Sequence, residues 1–158
     1  MKYKFFSLFA VLLFTCTVQA QTTPTYELTL DGAQQILSRS MDYAKANNSP
    51  GGAIAITDAG GHLLLLARMD GTFAKAAEVA EGKARTAALF RFPSQKLEDA
   101  VNGGRPTLIS TGEIVLKGGL PITYKGKIIG AIGVSGTASA DQDVLVAEAG
   151  LTIDFLTK

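Results

Sequence analysis

The stretch Ala53-Ile-Ala-Ile-Thr-Asp-Ala-Gly-Gly-His-Leu-Leu-Leu-Leu-Ala-Arg68 decides the fold. Two short apolar runs flank Asp58-Ala59-Gly60-Gly61, the residue types a tight hairpin turn demands. The pattern predicts strands over 53–57 and 62–68, paired antiparallel. Leu63, Leu64, Leu65 and Leu66 put apolar side chains on both faces of the second strand, which predicts cover on both sides by helices or by another subunit.

Working outward, a second hairpin is predicted over 120–124 and 127–134, turning at Lys125-Gly126. Between the hairpins, 73–90 reads as a helix of small residues. Ala74, Ala76, Ala77, Ala80, Ala84, Ala87 and Ala88 would let another backbone approach closely. Pro93 is expected to end it, and Ser94 to open a short helix through Val101. Upstream, Asp31 with Gln34 marks a helix start, with Ala33, Ile36, Leu37, Met41 and Ala44 at helical spacing. Downstream, Ser139 with Gln142 caps a last helix whose predicted apolar face is Val144, Leu145, Ala149, Ile153 and Leu156. The order α-ββ-αα-ββ-α, with hairpins in place of long crossovers, predicts an α+β domain. Its form is a three-layer α/β/α sandwich around a largely antiparallel sheet, of the profilin or sensor-domain kind.

The chain opens with Lys2 and Lys4, an apolar run over 5–14, and Val18-Gln19-Ala20, the three parts of a cleavable secretory signal. The run falls short of the ~20 residues a membrane span needs. Residues 1–20 are therefore expected to be removed, leaving 21–158 as one domain in the periplasm or the medium. Lipidation at Cys16 is disfavoured by the bulky Phe14 and by Thr15 before it. Losing Lys2 and Lys4 takes the basic residues from 15 to 13, against 14 acidic ones. A nearly neutral chain has no electrostatic warrant for binding nucleic acid or a membrane surface. The single cysteine goes with the signal, so stability must come from the packed core rather than a disulfide.

The glycines at 130, 133 and 136 are spaced G-x-x-G-x-x-G, which is not the dinucleotide fingerprint. Gly130 and Gly133 are expected to admit a helix against a central strand, and Gly136 to turn the chain toward Ser139. His62 is the only histidine, so a closed zinc site made of protein groups is excluded by count. As the residue opening a strand it reads as a rim side chain, with a metal-ligand role as the alternative. Glu78 and Glu81 share a charged helix face with Arg85, which suits a solvated surface or weak surface iron binding. Asp141 and Asp143 suit the first turn of the last helix, where negative charge meets the dipole. Lys83 falls inside the apolar arc of its helix. A cation there is either a buried ion pair or subunit contact, or a carboxylate-binding group at a pocket edge, with Arg68 and Asp70 as candidate partners.

The segments Asp58-Ala-Gly-Gly-His-Leu, Ala67-Arg-Met-Asp-Gly, Gly82-Lys-Ala-Arg-Thr-Ala, Gly118-Gly-Leu-Pro and Gly130-Ala-Ile-Gly-Val-Ser-Gly occur in this order. Asp141-Gln-Asp and Ala147-Glu-Ala-Gly follow them. Together they resemble the GlcG/HbpS family of haem-binding proteins, also called the haem-degrading domain family and similar to the C-terminal domain of PduO-type proteins. The resemblance runs from about Leu28 to the C-terminus. It implies a compact α/β/α domain, homo-oligomers, and haem as ligand in some members, with haem degradation or partnership with sensor kinases in others.

A haem presents a large apolar face and two propionates, which would suit the apolar strand surfaces with Lys83, Arg68 or Arg105. Gly118 and Gly119 match a family motif, and a place at the same pocket is expected of them. His62, Met69 and Tyr124 are chemically able to ligate iron, and the resemblance assigns none of them. The alternative ligand is another small carboxylate. No nucleophile, base and oxyanion donor assemble recognisably in the sequence, so a catalytic role is the weaker expectation and would rest on a bound cofactor.

Overall fold

The computed structural model describes residues 21–155, so the secretory signal over 1–20, with Cys16, lies outside the described residues. Helix α1 (Leu30–Ala46) leads into the hairpin β1 (Ala53–Asp58) and β2 (Leu63–Arg68). Helices α2 (Lys75–Phe90) and α3 (Gln95–Asn102) and a 3₁₀ turn (Pro106–Thr111) follow. The second hairpin, β3 (Gly119–Tyr124) and β4 (Lys127–Ser135), precedes α4 (Ala140–Gly150). The four strands form one antiparallel sheet in the order β2-β1-β4-β3. Helices α1 and α4 pack on one face and α2 on the other, giving the α+β sandwich expected from the hairpins.

Strand alternation sorts the sheet into two unlike faces. Toward α1 and α4 it presents Ile54, Ile56, Ile122, Ile132 and Val134, packed with Ile36, Val146 and Ala147. Toward α2 it presents Ala53, Ala55 and Ala131, which meet Ala76, Ala80, Ala84 and Ala87. Registers such as Ile54 opposite Val134, and Ala55 opposite Gly133, keep large with large and small with small. On the small face α2 comes down onto the strands themselves. A Cβ on Gly133 would sit 2.1 Å from the Ala80 carbonyl oxygen, and one on Gly119 would sit 2.2 Å from that of Lys83. Gly133 thus has the packing role expected of it. Gly130 differs, because its hydrogens face the Thr57 carbonyl of β1 and the Leu28 side chain rather than a helix.

Several local expectations are corrected. The N-cap of α1 is Thr29, whose hydroxyl accepts from Gly32 N, and Asp31 sits in the first turn. Helix α2 stops at Arg91, which adopts the left-handed conformation (φ 63°) before Pro93 is reached. The buried residues of α4 are Asp143, Val146, Ala147 and Gly150, whereas Leu145 is 47% exposed. Hydropathy pointed to the wrong side of α4 because its inner face carries a carboxylate and a glycine. Ile153 is buried as expected, and Leu156 lies outside the described residues. Cover on both sides of β2 is also not found within the chain: Leu64 and Leu65 pack on the isoleucine core, while Leu63 and Leu66 stay exposed. A register shift between Ile56 and Thr57 puts adjacent leucines on the same side.

Candidate functional site

One end of the sheet is where the two faces are tied together. Lys83, on the inner side of α2, extends past β4 so that its Nζ donates to Val134 O at 2.8 Å and to Asp143 Oδ2 at 2.9 Å. Both side chains are buried, 3% and 7% exposed. The other carboxylate oxygen accepts from the Thr137 backbone N–H and hydroxyl, at 3.2 and 2.7 Å. A desolvated charge is tolerable only with such pairing.

Of the two readings of Lys83, the structure shows the buried ion pair. Its partner is Asp143 rather than Arg68 or Asp70, and Asp143, in the first turn of α4 as expected, is also a buried counter-ion. Gly118 and Gly119 stand over the same pair: a Cβ on Gly118 (φ 114°) would lie 3.1 Å from Lys83 Nζ. The structure therefore does bring Lys83, Gly118 and Gly119 together, but as a packed junction and not as the wall of an opening.

Arg68 lies at this end too, two strands away, because it pairs with Ala53 and Ala53 with Ser135. It lines an open cleft of about 320 Å³ with Met41, Lys45, Ser49, Met69 and Asp70. Arg68 and Lys45 give that cleft two cations, and Met41 and Met69 give it two thioethers.

His62 is at the opposite end of the sheet. Its side chain is 79% exposed, with Nδ1 3.1 Å from Asp58 Oδ2. Asp58 also accepts from the backbone N–H groups of Gly60 and His62. Partial desolvation raises the Asp58 pKa, but the hydrogen bonds and charge of His62, with that from Gly60, outweigh it and hold the pKa below the ordinary value. Among the described residues no group of three or more His, Cys, Asp or Glu could hold a metal ion. Of the surface carboxylates, Glu78 pairs with Lys75, and Arg85 turns to Glu113 at 3.2 Å.

The His62 end holds a feature that the sequence pattern does not reveal. Tyr124, the last residue of β3, stacks edge-on against Tyr26 at 4.9 Å and against Phe155 at 5.8 Å. Lys125 Nζ lies 5.1 Å from the Tyr124 ring centre and 5.5 Å from that of Tyr26, and Lys127 Nζ lies 5.8 Å from that of Tyr26. Two clefts of about 150 and 360 Å³ share Tyr26, Glu27 and Leu28 as lining. Tyr124, Ile129 and Phe155 complete the first, and Asp58, Gly60 and Leu64 are in the second. Tyr26 lies before α1, outside any helix or strand. Its partners lie about a hundred residues further along the chain, so no local period could have found the cluster.

The family model described as "Haem degrading protein HbpS-like" matches residues 28–152. The chain belongs to the HbpS-like family. Among HbpS-like relatives, Protein GlcG of Escherichia coli K12 is 42% identical over 104 residues, covering 65% of this chain and 77% of GlcG. Klebsiella pneumoniae ORFY superposes with a TM-score of 0.78 at 28% identity, covering 85% of this chain and 95% of that one. The crystal structure of HbpS gives 0.75 at 33% identity, covering 82% and 92%. A complex of PduOC with haem gives 0.71 at 24% identity, covering 80% and 94%, a likeness of fold. The HbpS-like match takes in Lys83, Asp143, Gly118, Gly119, Arg68, His62 and Tyr124, while Tyr26 and Phe155 fall outside it.

Proposed function

We propose that this chain binds haem as a GlcG/HbpS-type protein, acting outside the cytoplasm once residues 1–20 are removed. The observation that carries the reading is the family match over residues 28–152. Of the three clefts, the one lined by Met41, Met69, Lys45 and Arg68 combines apolar side chains with cations that suit propionates. Bound haem would supply redox chemistry at its iron. This chain's residues would bind and orient it, and haem degradation, where it occurs, would draw on the cofactor. Self-association is part of the same reading, with the exposed Leu63 and Leu66 on β2 as the surface offered to a second copy. Partnership with a sensor protein would follow from an extracytoplasmic place.

Titration of the purified protein with haemin, followed by absorbance, tests the reading. We expect a saturable, stoichiometric shift of the Soret band. A response no larger than that of an unrelated control protein would overturn it. A second reading rests on the Lys45–Arg68 cleft, whose two cations suit a small carboxylate. Calorimetry with short mono- and dicarboxylates, repeated on Arg68→Ala, separates the two: heat lost in that variant, with no haemin response, favours the carboxylate.

A further inference from the structure

At the outer side of β2, apolar side chains, free backbone groups and opposite charges coincide. Leu66 stands opposite Ala55 and Leu63 opposite Thr57, which in turn face Gly133 and Ala131 of β4. Directly opposed residues share a face, so both leucines lie on the α2 side of the sheet. Helix α2 is seated over β1 and β4, and at its flank Leu63 and Leu66 remain 44% and 37% exposed. Leu89 of α2, 42% exposed, stands over the head of the same strand: a Cβ on Gly61 would lie 3.4 Å from its Cγ. The backbone of β2 is only half used. Met69 N donates to Gly52 O at 2.9 Å, and antiparallel alternation then commits Leu65 and Ala67 to β1 and turns the N–H and C=O of Leu66 and Arg68 outward. Among the described residues no strand meets them.

The charges at the two ends select the occupant and its direction. Arg68 and Asp70 stand at one end of the strand, Asp58 and His62 at the other. A copy turned end for end sets Arg68 toward the partner's Asp58 and Asp70 toward the partner's His62. A parallel copy would set like against like. We infer that β2 pairs antiparallel with β2 of a second copy of this chain, enclosing Leu63 and Leu66 of both copies between the two α2 helices. The inference rests on the self-association reading above, adds to it a direction and a set of contacts, and does not depend on haem. The two copies are related by a two-fold axis, so each contact is made twice. The seam also joins what one chain keeps apart. His62 and the cleft of Lys45, Arg68 and Met69 are at opposite ends of a chain's own sheet, and the two-fold carries the partner's His62 turn to the mouth of that cleft.

The test is sedimentation of the purified protein over a range of concentrations, with hydrogen exchange read at single amides by NMR. The native chain is compared with Leu66→Lys, Arg68→Glu and Leu145→Lys. All three side chains are exposed, so far-UV circular dichroism should be unchanged. We expect a dimer, alone or within a larger even-numbered assembly, whose Leu66 and Arg68 amides exchange slowly. Leu66→Lys should weaken it about tenfold or more, because an edge lysine opposes strand pairing, and should free those amides. Arg68→Glu should weaken it less, and most at low salt, where repulsion from the partner's Asp58 is least screened. Leu145→Lys, on α4, should leave it intact. A dimer whose Leu66 and Arg68 amides exchange freely, or one that Leu145→Lys splits and Leu66→Lys does not, overturns this pairing and leaves self-association standing. A monomer at every concentration overturns self-association itself.

Discussion

The two faces of the sheet solve the same burial problem in opposite ways. Toward α1 and α4 the contact is made by side chains, with isoleucines and valines filling the space between layers. Toward α2 it is made largely by backbone, with alanines and glycines bringing the helix carbonyls onto the strands. The side-chain face can adjust, because rotamers and small cavities absorb a change of one methylene. The backbone face cannot, because the atoms in contact belong to the helix itself. Lys83 and Asp143 join the two arrangements, one residue from the helix on each side of the sheet.

The largest effect is expected where the faces are joined. Lys83→Met leaves the Asp143 carboxylate buried and unpaired, which should cost about 3–5 kcal/mol of stability by urea unfolding. The double variant Lys83→Met, Asp143→Leu should recover most of that loss, because no orphan charge is left. Recovery of nothing would show that the pair fixes the α2–α4 junction by more than charge. Next comes a test of the backbone face. Gly133→Ala puts a methyl against the Ala80 carbonyl and should cost about 1–3 kcal/mol or more. On the other face, Ile132→Val removes one methylene and should cost only about 0.5–1.5 kcal/mol. If the neighbouring substitutions at 132 and 133 cost the same, the contrast between the faces is wrong.

The smallest effect concerns Asp58, outside both faces. Its folded pKa lies below its unfolded one, so its contribution is present above the unfolded value and is lost as pH falls through the folded value. Asp58→Asn should flatten the acid limb of the stability profile by roughly a few tenths of a kcal/mol, since the group is solvent-screened.

The hairpins and helices were legible because each carries its own local signal. Gly60-Gly61 and Lys125-Gly126 fix the turns, and the alternation in 53–57 fixes the faces of β1. The alanine run of α2 even announced a close approach. The errors arose where a residue's role depends on something distant. Asp143 had a sufficient local explanation in the helix dipole, so nothing in the sequence pointed sixty residues back to Lys83. The face of α4 was misplaced for the same reason, since its inner side includes that carboxylate. Of the site, the cationic residues could be named in advance but their setting could not. Lys83 proved to be sealed, Arg68 open and His62 solvated, and the aromatic cleft depends on both ends of the described chain meeting at Tyr124.

The two margins of the sheet are unequally protected. Pro121 gives β3 no N–H near its middle, and a register shift after Ile122 bends it away from regular pairing. Along β2 the chain runs Leu63-Leu64-Leu65-Leu66-Ala67, with no proline or lysine, and among the described residues no other strand pairs with its outer edge. Strand addition is therefore favoured on one margin only. Two copies meeting there would form a continuous sheet bounded by β3 on both sides, and growth by this route would stop at that single step.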